Sequence, residues 1–280
     1  MPDFNYKFGD VLYGLNERTY LMGILNITPD SFSDGGKYFD NKLNLDRVIE
    51  DAIRMEQEGA DFLDICGEST RPGSDKVSLD DELERVIPVI EALKGKVNIP
   101  LSIDTYKSSV AEEALKAGAV IVNDISGFRF DDKMPEVTAK HNASCILMHI
   151  KGTPKDMQKD PQYDDVVREV YDYLAESVKI AREAGIKQII TDVGIGFGKT
   201  LNHNLTLIKN LVKFKELGYP ILMGLSRKSF IDKIFSTPVE DREEGTIAAN
   251  TVSILNGANI IRVHDVLENK RAARVADKLK

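Results

Sequence analysis

Hydrophobic positions along the chain gather into eight short, nearly continuous runs, and every run ends in polar or charged residues. The runs are LMGILN ending at Asn26, FLDIC with Asp64, LSID at Asp104, VIVND at Asn123 and Asp124, CILMH at His149, IITD at Asp192, ILMGLSRK reaching Lys228, and IIRVH with Arg262 and His264. Each is too short for a core helix and has the length of a strand buried on both faces. Between them lie stretches with helical spacing. Leu45, Val48, Ile49, Ala52 and Ile53 advance in steps of three and four, which places one apolar stripe against a core. Buried strand alternating with amphipathic helix predicts a parallel sheet closed as a (β/α)8 TIM barrel. In that fold the polar C-terminal ends of the strands converge on one rim, where barrel enzymes build their sites.

Glycine recurs where a helical stretch gives way to a strand, at Gly59, Gly118, Gly185, Gly218 and Gly257. A glycine just past a helix end takes the left-handed conformation that closes the last turn. Ser78 with Asp81 and Ser109 with Glu112 read as capping pairs at helix starts, and Asp164 to Ala184 is the longest helical stretch. Pro88, inside RVIPVIEAL, predicts a bent or interrupted helix. The residues up to about Thr19 predict a short strand or hairpin closing the bottom of the barrel. Two connections, Thr28 to Lys42 and Gly67 to Ser78, are long and glycine-rich, as mobile lids on a catalytic face are. No linker or second domain is visible, so residues 1–280 read as a single barrel domain.

Composition narrows the function classes. The chain is 42% hydrophobic, enough for a large core, but no run approaches the roughly 20 apolar residues of a membrane span. The N-terminal MPDFNYKFGD lacks the basic and apolar segments of a signal peptide, and Cys66 and Cys145 show no CxxC spacing. Both features predict a cytoplasmic protein with reduced thiols and no membrane partner. A formal charge of -8 excludes a general nucleic-acid surface, so a bound anion must be held by a few placed cations.

GIGFGKT, residues 194–200, resembles a phosphate loop, yet the Walker pattern needs glycine where Val193 stands, and a dinucleotide fingerprint needs another spacing. The cations near strand ends are Arg71, Arg227, Lys228, Arg262 and His264. Four of them fall after the seventh and eighth runs, where barrels often bind phosphate. The acidic set is Asp64, Asp104, Asp124 and Asp192, with Asn26 and Asn123 beside it. Such groups hold either a nitrogen-rich heterocycle or a divalent metal. Asp104 and Asp192 also read as helix caps, Asp64 reads equally as structural or functional, and His149 reads as a packed rim histidine. The residues alone predict a barrel enzyme acting on a small phosphorylated ligand.

Seven segments, in order, resemble dihydropteroate synthase: MGILNITPDSFSDGG from Met22, DICGESTRPG from Asp64, IVNDISG from Ile121, LMHIKGTP from Leu147, DVGIGFGKT from Asp192, GLSRKS from Gly224 and IRVHDV from Ile261. That family joins para-aminobenzoate to the pyrophosphate ester of hydroxymethyl-dihydropterin in folate synthesis. The resemblance implies that Asp104, Asn123, Asp192 and Lys228 hold the pterin ring, with Met148 and Phe197 packing around it. It implies that Arg262 and His264 anchor the pyrophosphate, that Asn26 is a ligand of the accompanying Mg2+, and that Ser229 meets the aminobenzoate carboxylate. From the long loops, Asp34, Thr70 and Arg71 match residues of the ordered catalytic complex, and Phe32 and Pro72 match the walls of the aminobenzoate pocket. A homodimer through the later helices is also implied. The chain departs from the family at Val193, usually proline, and at Cys66, often glycine; a locally altered turn is expected at Val193. Two rival readings are a pterin-binding module serving a methyltransferase and a Schiff-base aldolase built on Lys228. The first lacks both NITPDSFSDGG and an end like RVHDV, and for the second the sequence shows no apolar pocket around Lys228.

Overall fold

The computed structural model describes residues 3–29, 36–39 and 42–280. Strands β1 (Asn5–Phe8) and β2 (Val11–Gly14) pair antiparallel as the expected hairpin. Eight further strands follow: β3 (Tyr20–Asn26), β4 (Phe62–Cys66), β5 (Leu101–Asp104), β6 (Ile121–Asp124), β7 (Ser144–Met148), β8 (Ile189–Asp192), β9 (Ile221–Met223) and β10 (Ile260–Val263). They pair in parallel in chain order and β10 closes on β3, giving the (β/α)8 barrel. Outside it lie α1 (Leu45–Glu58), α2 (Leu79–Leu93), α3 (Ser108–Ala117), α4 (Met134–Lys140), α5 (Val166–Glu183), α6 (Leu201–Lys209), α7 (Ser229–Phe235), α8 (Glu243–Leu255) and α9 (Val266–Leu279). Among the described residues no helix is long and apolar enough to cross a membrane.

Alternation along each strand explains both the apolar runs and their polar ends. Outward positions such as Leu63, Ile65, Ile103, Val122, Leu147 and Ile261 pack in one cluster with Val48, Ala52, Val86 and Ile90 of the helices. Inward positions near the strand starts, including Met22, Phe62, Ile121, Ile146, Ile190, Leu222 and Ile260, form a second cluster with Tyr6, Phe8 and Leu15. The hairpin thus stoppers the barrel bottom: Phe8 stands edge-on to Phe62 with centroids 5.0 Å apart, and the Tyr6 hydroxyl donates to the Ile189 carbonyl at 3.0 Å. Two residues further up, the inward positions become Asp64, Asn123, Asp192 and Arg262. A dry floor and a polar rim therefore come from the same strands.

Local signals mostly hold, with three differences. All five helix-end glycines have positive φ, and the Gly59 amide, at φ 103°, donates back to Glu56 and Met55. Ser78 caps α2 by accepting from the Asp81 amide at 3.1 Å, and Asp165 caps the 18-residue α5. Ser109, however, does not cap α3, which starts at Ser108; the Ser108 amide is taken by Asp131 from the next connection at 2.8 Å. Nor does Pro88 interrupt α2, which runs through it. An interior proline costs about 3 kcal/mol, and burial of Val86, Val89 and Ile90 around it is large enough to offset that. The seventh strand stops at Met223, and LSRK turns away with Arg227 at φ 56°.

Candidate active site

At the C-terminal rim the strand ends enclose a cavity of about 270 Å³. Its lining includes Asn26, Thr70, Arg71, Pro72, Asp104, Asn123, Met148, Asp192, Phe197, Lys228, Ser229, Arg262 and His264. Every expected site residue among the described ones is thus on one cavity; Phe32 and Asp34 lie outside the described residues. Barrel closure achieves this, since it brings β10 beside β3 and points their last inward residues at the same space.

Arg262 is the hub. Its Nε stands 2.5 Å from Asp64 Oδ2 and its Nη2 stands 2.8 Å from Asp104 Oδ2, so one guanidinium bridges two buried carboxylates. Burial works against its charge, but Asp64 and Asp104 hold it protonated beyond its usual range. Asp64 Oδ2 also accepts from Asn123 Nδ2 at 2.9 Å, which leaves the Asn123 carbonyl oxygen to face the cavity. Asp64, itself absent from the cavity lining, thus holds two residues that are on it. Asp64 Oδ1 and Asp104 Oδ1 are buried with no hydrogen-bond donor among the described residues. An unpaired buried acceptor is costly, and Asp104, on the cavity wall, is set to accept an N–H from a ligand.

Across the cavity, Asp192 Oδ1 accepts from the Gly194 amide at 2.8 Å, so this aspartate organises its own turn and still lines the cleft. Burial pushes the Asp192 carboxyl up, with Lys228 opposing, and pushes Asp104 up against the pull of Arg262. Lys228 donates to the Ile195 carbonyl at 2.5 Å and sits 4.7 Å from the Phe197 ring centroid. Burial pulls its ammonium down to about 8, with Asp192 pulling the other way. This corrects the expectation that no environment lowers Lys228. Ile125, Met148 and Met157 cluster with Phe197 packed against them, giving the cleft an apolar wall.

At the other end, His264 Nδ1 is 2.9 Å from Ser226 Oγ and its Nε2 is 3.4 Å from Asn26 Nδ2. Burial, then the Arg227 and Arg262 charges, push His264 down to about 3, so it is neutral at ordinary pH. An arriving anion meets a hydrogen-bonding imidazole beside fixed cations. Among the described residues no group of three or more His, Cys, Asp and Glu forms a cage for an ion. Asn26, on the cavity lining, offers an amide oxygen, the hard donor type that Mg2+ takes.

Several candidates fall elsewhere. Asp124 spends both oxygens on the Ser126 and Phe128 amides and the Ser126 hydroxyl. His149 is buried against Tyr163 and Tyr173, away from the cavity lining. Arg227 does line the cavity, with its guanidinium paired to Asp265 at 2.5 Å. Lys199 of the phosphate-loop-like segment is 1% exposed and points into the protein. Val193 packs in the outer core, and beside it the Gly194 amide donates to Asp192 Oδ1. Cys66 lines the cavity, donates its thiol to the Glu68 carbonyl at 2.8 Å, and like Cys145 is a free buried cysteine. Sequence reasoning missed Ser226, Ile125 and Met157. Only Ser226 carried a signal, by sitting two residues before Lys228 in the same polar strand end.

The Gly67–Ser78 connection, read as a mobile lid, is anchored at its base. Lys107 reaches Glu68 and, at 2.5 Å, Glu82, both almost fully buried, while the Tyr106 hydroxyl donates to Glu68 at 2.7 Å. Lys107→Met leaves two buried carboxylates without a cation, and breaking such a pair costs about 3–5 kcal/mol. The expected result is a urea midpoint lowered accordingly; an unchanged midpoint would show that the cluster is not ionised.

Comparison with known proteins agrees with this geometry. Residues 22–264 match the family model described as pterin binding enzyme. The dihydropteroate synthase of Clostridium beijerinckii is 48% identical over 274 residues, covering 97% of this chain and 98% of that protein. The crystal structure of Yersinia pestis dihydropteroate synthase in a sulfonamide drug complex superposes with TM-score 0.94 at 39% identity, covering 98% of both chains. That of the Clostridium difficile enzyme in the presence of pteroic acid gives 0.87 at 46% identity, again covering 98% of both. With its barrel, its rim and these relatives in agreement, the chain belongs to the dihydropteroate synthase family, transferases of folate biosynthesis.

Proposed function

We propose that this cleft condenses para-aminobenzoate with hydroxymethyl-dihydropterin pyrophosphate by a largely dissociative substitution. The observation that carries the reading is the division of charge within one cavity: buried carboxylates at Asp104 and Asp192, cations and a neutral imidazole at Arg262, Arg71 and His264. Asp104, Asp192 and the Asn123 carbonyl accept the pterin N–H groups, Lys228 donates to a ring acceptor, and Met148 and Phe197 hold the ring faces. As the bond from the pterin methylene to pyrophosphate oxygen lengthens, positive charge spreads into the ring, where the two carboxylates stabilise it. Arg262, Arg71 and His264 receive the charge that moves onto the departing pyrophosphate. The aminobenzoate nitrogen then bonds to the methylene carbon and loses one proton, to water or to the released pyrophosphate. An aromatic amine in that role needs no strong base.

Ser229 and Thr70 are assigned to the aminobenzoate and its approach, with Pro72 and Phe32 as walls and Asp34 in the closed complex. The Asn26 amide oxygen would hold Mg2+, which when bound would supply Lewis-acid chemistry toward the departing pyrophosphate. The Lys228 environment fits an amine nucleophile as well, but the relatives that match over nearly the whole chain are dihydropteroate synthases, whose reaction has no Schiff-base step. A homodimer is assigned to the later helices, where Val252 and Leu255 of α8 and Val275 and Leu279 of α9 expose apolar side chains. Free buried cysteines fit a reducing cytoplasm.

Purified protein given the pterin pyrophosphate and Mg2+ should release pyrophosphate only when para-aminobenzoate is added, with dihydropteroate as the second product. Sulfonamides, as aminobenzoate mimics, should raise the aminobenzoate KM without lowering kcat. Release that ignores aminobenzoate would overturn the reaction, and non-competitive inhibition would remove Ser229, Phe32 and Pro72 from that subsite.

A further inference from the structure

We propose that Lys199 is a positioning residue for the pterin half of the site, a buried amine that shapes the β8–α6 connection. The inference rests on the pterin reading above.

Lys199 does not behave as the lysine of a phosphate loop. Its Nζ lies 2.8 Å from the Gly194 carbonyl, 2.9 Å from the Phe197 carbonyl and 2.8 Å from His149 Nδ1. Two carbonyl acceptors and a ring nitrogen thus surround the Nζ in a site 1% exposed. Burying the amine is costly and pushes it well below its usual titration range, and a connection of eight residues, 193–200, needs no such group merely to close. The cost has a visible return. The two clamped carbonyls bracket Ile195, Gly196 and Phe197, the three residues of this connection that line the cavity. Within that bracket the Ile195 carbonyl accepts from Lys228 and the Phe197 ring faces its ammonium. Lys199 thereby sets the height of the aromatic wall and the place of a ligand-facing cation.

Glycines keep the clamp tight. Gly194 and Gly198 have φ of 67° and 64°, and a Cβ on them would stand 1.9 Å from the His149 carbonyl oxygen and 2.3 Å from that of Lys151. The connection is pressed against the end of β7 with no room for a side chain. Loss of the amine would take the Lys199 donor from the Phe197 carbonyl and leave the Gly194 carbonyl with the Phe197 amide at 3.1 Å, so the segment between them loses its tie to the end of β7. The aminobenzoate side, at Ser229 and Pro72, touches none of these atoms.

The test compares Lys199→Met with the milder His149→Ala, which removes one of the three acceptors. Binding of 6-hydroxymethylpterin is titrated by calorimetry, and the aminobenzoate KM is measured at saturating pterin pyrophosphate. Lys199→Met should weaken the pterin at least tenfold and His149→Ala about threefold, with the aminobenzoate KM within twofold of wild type in both. Should Lys199→Met fail to fold, His149→Ala alone decides. Pterin affinity unchanged in a folded variant, or equal losses on both substrates, overturns the clamp. Wild-type protein that binds no pterin overturns the parent reading and this one with it, whereas wild-type binding with unchanged variants overturns this one alone.

Discussion

Arg262→Ala is expected to lower kcat/KM for the pterin pyrophosphate by about 1000-fold, or about 4 kcal/mol of transition-state stabilisation. Two losses combine. One is the cation that receives charge on the departing pyrophosphate. The other is internal: Asp64 and Asp104, 2.5 and 2.8 Å from the guanidinium, lose the cation that bridges them. Removing one member of a buried charge cluster costs about 3–5 kcal/mol because the remaining charges stay buried. Asp104 then protonates more readily, and a protonated Asp104 no longer favours a cationic pterin. Affinity for 6-hydroxymethylpterin, which carries no phosphate, should therefore also fall, by about tenfold. Arg262→Lys should recover only part of either loss, because a point charge cannot span two carboxylates as a planar fork does. Steady-state kinetics with the pyrophosphate ester and calorimetry with the free pterin separate the two effects. If Arg262→Ala binds free pterin as wild type does, Arg262 serves the phosphate end alone.

The contrast between what the chain's pattern reveals and what it hides follows from physical range. Barrel strands buried on both faces write themselves as apolar runs, and their polar ends mark the rim because a buried strand tolerates polar residues only where they meet solvent, a partner or a ligand. The dual use of inward positions, Phe62 for the floor and Asp64 two residues later for the site, is legible from period-two alternation alone. Pairings across the barrel are not. Nothing local in FLDIC or IIRVH states that Asp64 and Arg262 lie 2.5 Å apart, since that contact depends on closure of the sheet. Lys199 was hidden for a related reason. Its neighbours in GIGFGKT suggest an exposed phosphate ligand, whereas its true partner, His149, comes from the preceding strand end. Ser109 and Pro88 show that tertiary contacts outweigh a local signal when Asp131 supplies the cap and core burial supports the helix.

Asp192→Asn should have the second large effect, a loss of about 100-fold in pterin affinity, with a pH signature that identifies its cause. In the wild type, burial raises Asp192 and Asp104 above the usual carboxylate range. Both must be ionised to favour the pterin cation, so binding weakens as the pH falls through these raised values, with up to two protons taken up. On the alkaline side, Lys228 near 8 must keep its proton to donate, so binding weakens again above that value. The amide removes one of the two protons on the acid side, making that limb shallower. It also removes the negative charge that most favours protonation of Lys228, while burial continues to act in the opposite direction. The Lys228 value therefore moves below about 8 and the alkaline limb shifts toward neutrality. For the stability of the empty protein the sign is reversed on the acid side: a carboxyl raised by folding favours the native state at low pH, and that contribution fades as pH rises through its native value. Asp192→Asn should consequently make the folded protein more stable relative to wild type at pH 8 than at pH 5, while its ligand binding is worst where its stability has gained most. Calorimetric titration with 6-hydroxymethylpterin from pH 5 to pH 9, beside urea unfolding across the same range, reads both trends. An alkaline limb that stays in place in Asp192→Asn would mean that Asp192 and Lys228 do not interact across the cleft, and that the pterin is held by the Asp104 side alone.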